Sequence, residues 1–185
     1  MRVLGISGSL RSGSYNTKLL RAAGELLPAG AELELFAGLE AVPPYNEDRD
    51  AGGAPLAAAR LREAIAEADA VLFATPEYNG SVPGQLKNAV DWASRPHRAA
   101  ALWGKPVAVV GASTGMYGAV WAQADLRRIL GVAGARVAEA EVAVGRAPSR
   151  FDDDGRLVDE ELRDELRAAV GALVAEVAPP QLVAA

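Results

Sequence analysis

The run Gly8-Ser9-Leu10-Arg11-Ser12-Gly13-Ser14-Tyr15-Asn16-Thr17 has the composition of an anion cradle. Small residues let a backbone turn its N–H groups toward a ligand, and a helix N-terminus favours negative charge. Ser9, Ser14, Asn16 and Thr17 can donate to phosphate oxygens, while Arg11 adds charge and a planar fork of donors. A plain helix cap would account for one or two of these residues but not for the cluster. Gly8 and Gly13 have the spacing of a triphosphate loop, yet Ser14-Tyr15 stands where Lys-Ser/Thr is required. Gly5, Gly8 and Gly13 do not form G-x-G-x-x-G, and the second strand ends at Leu35-Phe36-Ala37 without an acidic residue. A single phosphate monoester on a larger ligand fits better than a dinucleotide.

Two further runs suit the rest of such a ligand. Thr75-Pro76-Glu77-Tyr78-Asn79-Gly80-Ser81-Val82-Pro83-Gly84 is stiffened by two prolines, and Tyr78 offers a flat stacking face. Gly111-Ala112-Ser113-Thr114-Gly115 matches G-x-S-x-G, the nucleophile turn of hydrolases. No histidine follows Ser113, and the one histidine, His97, lies upstream. Without a base the serine is not activated, so the hydrolase reading fails. A Gly/Ser/Thr loop presenting N–H groups to the edge of a heteroaromatic ring is the better account, and His97 reads as a surface residue.

The elements that must hold these loops follow from apolar patterning. Strands are expected at Val3 to Ile6, Glu32 to Phe36, Ala70 to Ala74, Val107 to Val110 and Ala135 to Ala140. Helices are expected at Asn16 to Leu27, Leu56 to Glu67, Pro83 to Trp92, Tyr117 to Leu130 and Asp159 to Val177. Five strands alternating with five helices predict a doubly wound α/β domain with a parallel sheet, one domain over residues 1–185. Ligands in such a sheet bind beyond the carboxyl ends of the strands, which is where the three runs fall. Ala41 to Pro55 reads as a long loop, and Asp152-Asp153-Asp154-Gly155 as a solvated turn.

Composition narrows the chemistry. With no cysteine and one histidine in 185 residues, thiolate catalysis, disulfides and His- or Cys-based metal sites are excluded. Redox work would need a borrowed cofactor. A net charge of −5 argues against nucleic acid or an anionic membrane as partner. The uncharged stretch Pro106 to Ala124 is broken by Gly111, Ser113, Thr114, Gly115 and Gly118, so it does not read as a membrane span. No secretory leader is visible at the start, and a cytoplasmic location is expected.

At these residues the chain resembles the NAD(P)H-dependent FMN reductase family, whose relatives reduce quinones, azo dyes and chromate. The resemblance rests on Gly8-Ser9-Leu10-Arg11-x-Gly13-Ser14-x-Asn16 and Pro76-Glu77-Tyr78-Asn79-x-Ser81-Val82-Pro83-Gly84-x-Leu86-Lys87-Asn88-Ala89-x-Asp91-Trp92, with support from Ser113-x-Gly115. It implies a three-layer, flavodoxin-like five-stranded sheet, order 2-1-3-4-5, that binds FMN. Ser9, Arg11, Ser14, Asn16 and Thr17 would hold the phosphate; Pro76, Glu77, Tyr78 and Asn79 would line the isoalloxazine; Ser113 and Gly115 would approach its pyrimidine edge. NADPH or NADH would pass a hydride to the flavin, and a flavin, quinone, azo compound or metal oxyanion would then take the electrons in a ping-pong cycle, with no catalytic side chain required. Members are commonly homodimers or homotetramers, which makes Trp92 and Trp121 candidates for an interface or for the core. The competing expectation is a flavodoxin-like carrier that shuttles single electrons, which Arg11 and a modest net charge fit poorly.

Overall fold

The computed structural model describes residues 1–177. Strands β1 (Arg2–Ser7), β2 (Glu32–Leu35), β3 (Ala70–Thr75), β4 (Pro106–Ala112) and β5 (Arg136–Val137) form one parallel sheet in the order 2-1-3-4-5. Every residue of β3 and β4 is buried. That explains their unbroken apolar runs, because helices cover both faces. On one face α1 (Tyr15–Leu26) and α6 (Glu160–Ala175) pack Leu19, Leu20, Leu166, Val170 and Leu173 against Leu72 and Val110. On the other, α3 (Leu56–Glu67), α4 (Gly84–Ala93) and α5 (Val120–Val132) pack Leu61, Ile65, Leu86, Trp92 and Leu126 against Val71, Phe73 and Val109. Each such buried aliphatic or aromatic side chain contributes about 1.5–3 kcal/mol relative to exposure.

The fold departs from the expected elements in three places. The last strand is two residues rather than six, and the chain then returns as β6 (Ala143–Val144), which pairs in parallel with the end of β4. Helix α5 starts at Val120 instead of Tyr117, because Gly118 (φ 59°) and Ala119 (φ 62°) are left-handed. A side chain at Gly118 would meet the Ala143 backbone 2.3 Å away, so that glycine is required for the loop to pass β6. The long loop after β2 contains a short helix, α2 (Glu47–Ala51).

Helix α4 explains why that loop is held. Its residues Gln85, Asn88 and Trp92 are spaced three and four apart and share a face. Gln85 Nε2 donates to the carbonyls of Leu39 (2.6 Å) and Val42 (2.8 Å), and Asn88 Nδ2 to that of Pro43 (2.9 Å). The Tyr45 amide donates to Asn88 Oδ1 (2.7 Å), and the Trp92 indole donates to the Pro43 carbonyl (2.8 Å). Trp92 is fully buried, so of the two roles open to it, it takes the core one. No helix among the described residues is long and apolar enough to cross a membrane.

Candidate functional site

The order 2-1-3 reverses the winding of the sheet between β1 and β3, so the loops leaving β1, β3 and β4 meet at the carboxyl ends of the strands. The first is built around two serines. Ser14 caps α1, its Oγ accepting from the Thr17 amide (3.2 Å), and it is 2 % exposed. Ser7, at the end of β1, accepts from the Ser9 amide (3.3 Å) and from Thr17 Oγ1 (3.1 Å), pinning the loop at both ends. The amides of Leu10 through Gly13, and of Tyr15 and Asn16, donate to no acceptor among the described residues. Arg11 is exposed and enters none of the ion pairs formed there.

The second loop is a tight turn. Tyr78 and Ser81 exchange backbone bonds of 3.1 and 3.2 Å around Asn79 (φ 54°) and Gly80 (φ 74°), the pair of left-handed residues that an Asn-Gly hairpin turn needs. Ser81 Oγ donates to Asp125 on α5 (2.8 Å). The Glu77 carboxylate accepts from the Trp121 and Ala122 amides, both at 3.1 Å, and so caps α5 across the loop gap. The third loop is braced by β6. The Ser113 amide donates to the Val144 carbonyl (3.0 Å), the Ala147 amide to the Ser113 carbonyl (3.0 Å), and the Arg146 amide to the Gly115 carbonyl (2.7 Å). Because β6 takes the Ser113 amide, the first uncommitted donors on this loop are those of Thr114 and Gly115.

A cavity of about 110 Å³ is shared by all three loops, lined among others by Ser9, Arg11, Ser14, Tyr78 and Ser113. Pro76, Glu77 and Asn16 also border it, whereas Thr17 faces a neighbouring cavity of about 370 Å³ that Ser9 and Arg11 share. Asn79 and Gly115 line neither. Asn16 departs furthest from its expected part: its side chain is 3 % exposed and turned inward onto Ala112 of β4. Sequence reasoning missed Ser7, the β6 brace and the α4 clip. Only the clip left a local signal, the polar Gln85, Asn88 and Trp92 face.

Uncommitted amides at a helix N-terminus, a free guanidinium and a buried capping hydroxyl fit a phosphate. The rigid turn beside Tyr78 and the free amides of Thr114 and Gly115 fit a planar ring with polar edges. Fold and site together define a flavodoxin-like protein that takes a phosphorylated heteroaromatic ligand. Residues 1–149 match the model of a family described as NADPH-dependent FMN reductase, and the chain belongs to that family. It is 48% identical to an NAD(P)H-dependent FMN reductase of Pseudomonas aeruginosa, over 94% of this chain and 93% of that one. It is 45% identical to a quinone reductase of Pseudomonas putida, over 84% and 83%. Among solved structures, the flavoenzyme NAD(P)H:(acceptor) oxidoreductase of Paracoccus denitrificans superposes with a TM-score of 0.85 at 38% identity, covering 95% and 96% of the two chains. The chain is an NAD(P)H-dependent flavin oxidoreductase, and FMN is its redox cofactor.

Proposed function

We propose that the cavity shared by the three loops is the FMN site and that its residues divide the work as follows. Arg11 and the hydroxyls of Ser9 and Ser14 hold the phosphate, with the amides of Tyr15 and Asn16 completing the cradle at the start of α1. Thr17 acts one step back, through Ser7. Pro76 and Tyr78 flank the ring, with Glu77 and Asn79 fixing the shape of their loop, and the Ser113 to Gly115 loop offers its free amides to the ring edge. When bound, FMN supplies the two-electron chemistry between the nicotinamide coenzyme and a small oxidant. The protein aligns the reactants and places N–H donors where negative charge develops. No side chain needs to move a proton, which suits a site without cysteine or histidine.

Small oxidants are the acceptor class, and the quinone reductases among the relatives favour a quinone. The whole chain works as one domain: α6, beyond the matched residues, shares its apolar cluster with α1 and β1. A homo-oligomer, dimer or tetramer, is the assembly we infer, with the exposed side chains of Trp121, Tyr117 and Met116 beside the site as the contact.

The observation that carries the reading is the set of uncommitted amides around the start of α1, with Arg11, Tyr15 and Asn16 bordering the cavity and Arg11 in no ion pair among the described residues. The test is an anaerobic visible spectrum of protein loaded with FMN, before and after NADPH. Bleaching of the bound flavin, followed by recovery on adding a quinone, is expected. Bound flavin that NADPH leaves unchanged would point to an electron carrier, and failure to retain FMN would refute the site.

A further inference from the structure

Resting on that reading, we infer that Asn16 is a positioning residue, a clasp that sets the spacing between the phosphate loop and the Ser113 loop, rather than a phosphate ligand through its side chain. Asn16 Nδ2 donates to the Ala112 carbonyl and Oδ1 accepts from the Ala112 amide, both at 2.9 Å and across 96 residues of sequence. Ala112 is the last residue of β4. The amides of its neighbours Gly111 and Ser113 donate to the Val142 and Val144 carbonyls, toward β6. Backbone groups alternate sides along a strand, so those of Ala112 face the other way, toward β3. There β3 ends at Thr75, the register partner of Gly111. Past that point the Asn16 carboxamide meets the Ala112 backbone in place of a further strand residue. Carboxamide and peptide carry the same donor and acceptor, which is why one side chain satisfies both groups.

The consequence is mechanical. Asn16 is the second residue of α1, two positions after Ser14, so the clasp ties the cradle directly to the start of the Ser113 loop. A ligand that must engage both ends gains from having them held at one spacing, because the second contact then forms at high effective concentration. A ligand that touches only one end gains nothing.

The experiment compares wild type with Asn16→Ala for three probes: FMN, riboflavin, which lacks the phosphate, and inorganic phosphate. Flavin affinities come from fluorescence quenching and phosphate affinity from calorimetry. The expected result is FMN affinity falling by about tenfold or more, the size of one lost preorganising interaction, with riboflavin and phosphate affinities close to wild type. An equal loss for inorganic phosphate would overturn the clasp and make the side chain a direct ligand. Unchanged FMN affinity in a folded variant would overturn it as well. Asn16→Ser, which replaces the carboxamide by a single short hydroxyl, serves if the alanine variant does not fold. Exchange of the Ala112 amide in the apoprotein, expected to quicken in either variant, reads the clasp without flavin. A wild type that binds no FMN would instead defeat the reading of the site while leaving the exchange result standing.

Discussion

Arg11 carries its charge into solvent on the wall of the cavity with no acidic partner among the described residues, and that isolation decides what its removal does. A guanidinium already committed to a carboxylate would have to break that pair before meeting a phosphate; Arg11 has nothing to break. Its bonds to an anion would be charge-assisted, contributing about 1.5–3 kcal/mol. Arg11→Ala is therefore expected to raise the FMN dissociation constant by roughly 10- to 100-fold in a fluorescence titration, while turnover at saturating FMN stays near wild type. A fall in turnover that excess FMN does not restore would place Arg11 at the ring or the acceptor. His97 is the contrast. It is exposed, packs edge to face with Trp103 at a centroid distance of 5.5 Å and lines neither cavity of the site, so His97→Ala should leave both FMN affinity and turnover intact in the same assays.

Among the elements, the clip between α4 and the long loop shows how a sequence motif can carry structure as well as chemistry. The half of the second motif that follows Pro83 is occupied largely in tying residues 39–45 to α4. Arg62 of α3 completes the job, forking onto Asp50 of α2 with two bonds of 2.7 Å and donating through Nε to the Trp92 carbonyl at 2.8 Å. The Arg62 guanidinium holds the Asp50 carboxyl below its usual range, outweighing the opposing effect of burial. A carboxylate depressed in the folded state stabilises above its unfolded value, about pH 3.9, and that stabilisation is lost as pH falls through the folded value. Asp50→Asn is thus expected to cost about 1–2 kcal/mol near pH 7 by denaturant unfolding, with the gap to wild type closing only below about pH 4. A gap that closes between pH 5 and 7 would mean another group controls the loop.

The same scale shows what was legible beforehand. Buried strands β3 and β4, the helix α3 and the run of small residues after β1 announce themselves through local patterning, and the three loops follow from strand ends. A two-residue strand such as β6 has no period to detect, and the Asn16 and Glu77 bonds join residues 96 and 44 or 45 apart in sequence. Such contacts exist only once the sheet has brought its loops together at the carboxyl ends of the strands. Asn16 and Glu77 were legible as candidates for the site, and both border its cavity, but not as fasteners, because residue type indicates what a side chain can bond, not which partner the fold supplies.

For the molecule as a whole, the unsolved surface is the apolar patch beside the site. Tyr78, Met116, Tyr117 and Trp121 are each 51 to 61% exposed, and Tyr117 and Trp121 meet edge to face with centroids 5.1 Å apart. Scattered apolar side chains on a surface need no explanation, but a cluster of large ones beside a ligand site marks a contact. Trp121 is anchored there through its own amide on Glu77, so its position is fixed by the loop that follows β3. A second copy seated on this patch would bury the aromatics and bring a neighbouring surface to the rim of the site. Aromatic anchors at the centre of an interface commonly cost 2 kcal/mol or more, on the order of a thirtyfold change in affinity, when truncated. Trp121→Glu, which adds an unpaired charge to the same position, is therefore expected to shift the proposed homo-oligomer toward monomer in light scattering, and to weaken FMN retention in step with that dissociation. The two readouts separate the alternatives. An unchanged mass would show that the patch is not the interface, and an unchanged mass with altered kinetics toward quinones would assign the aromatics to the acceptor.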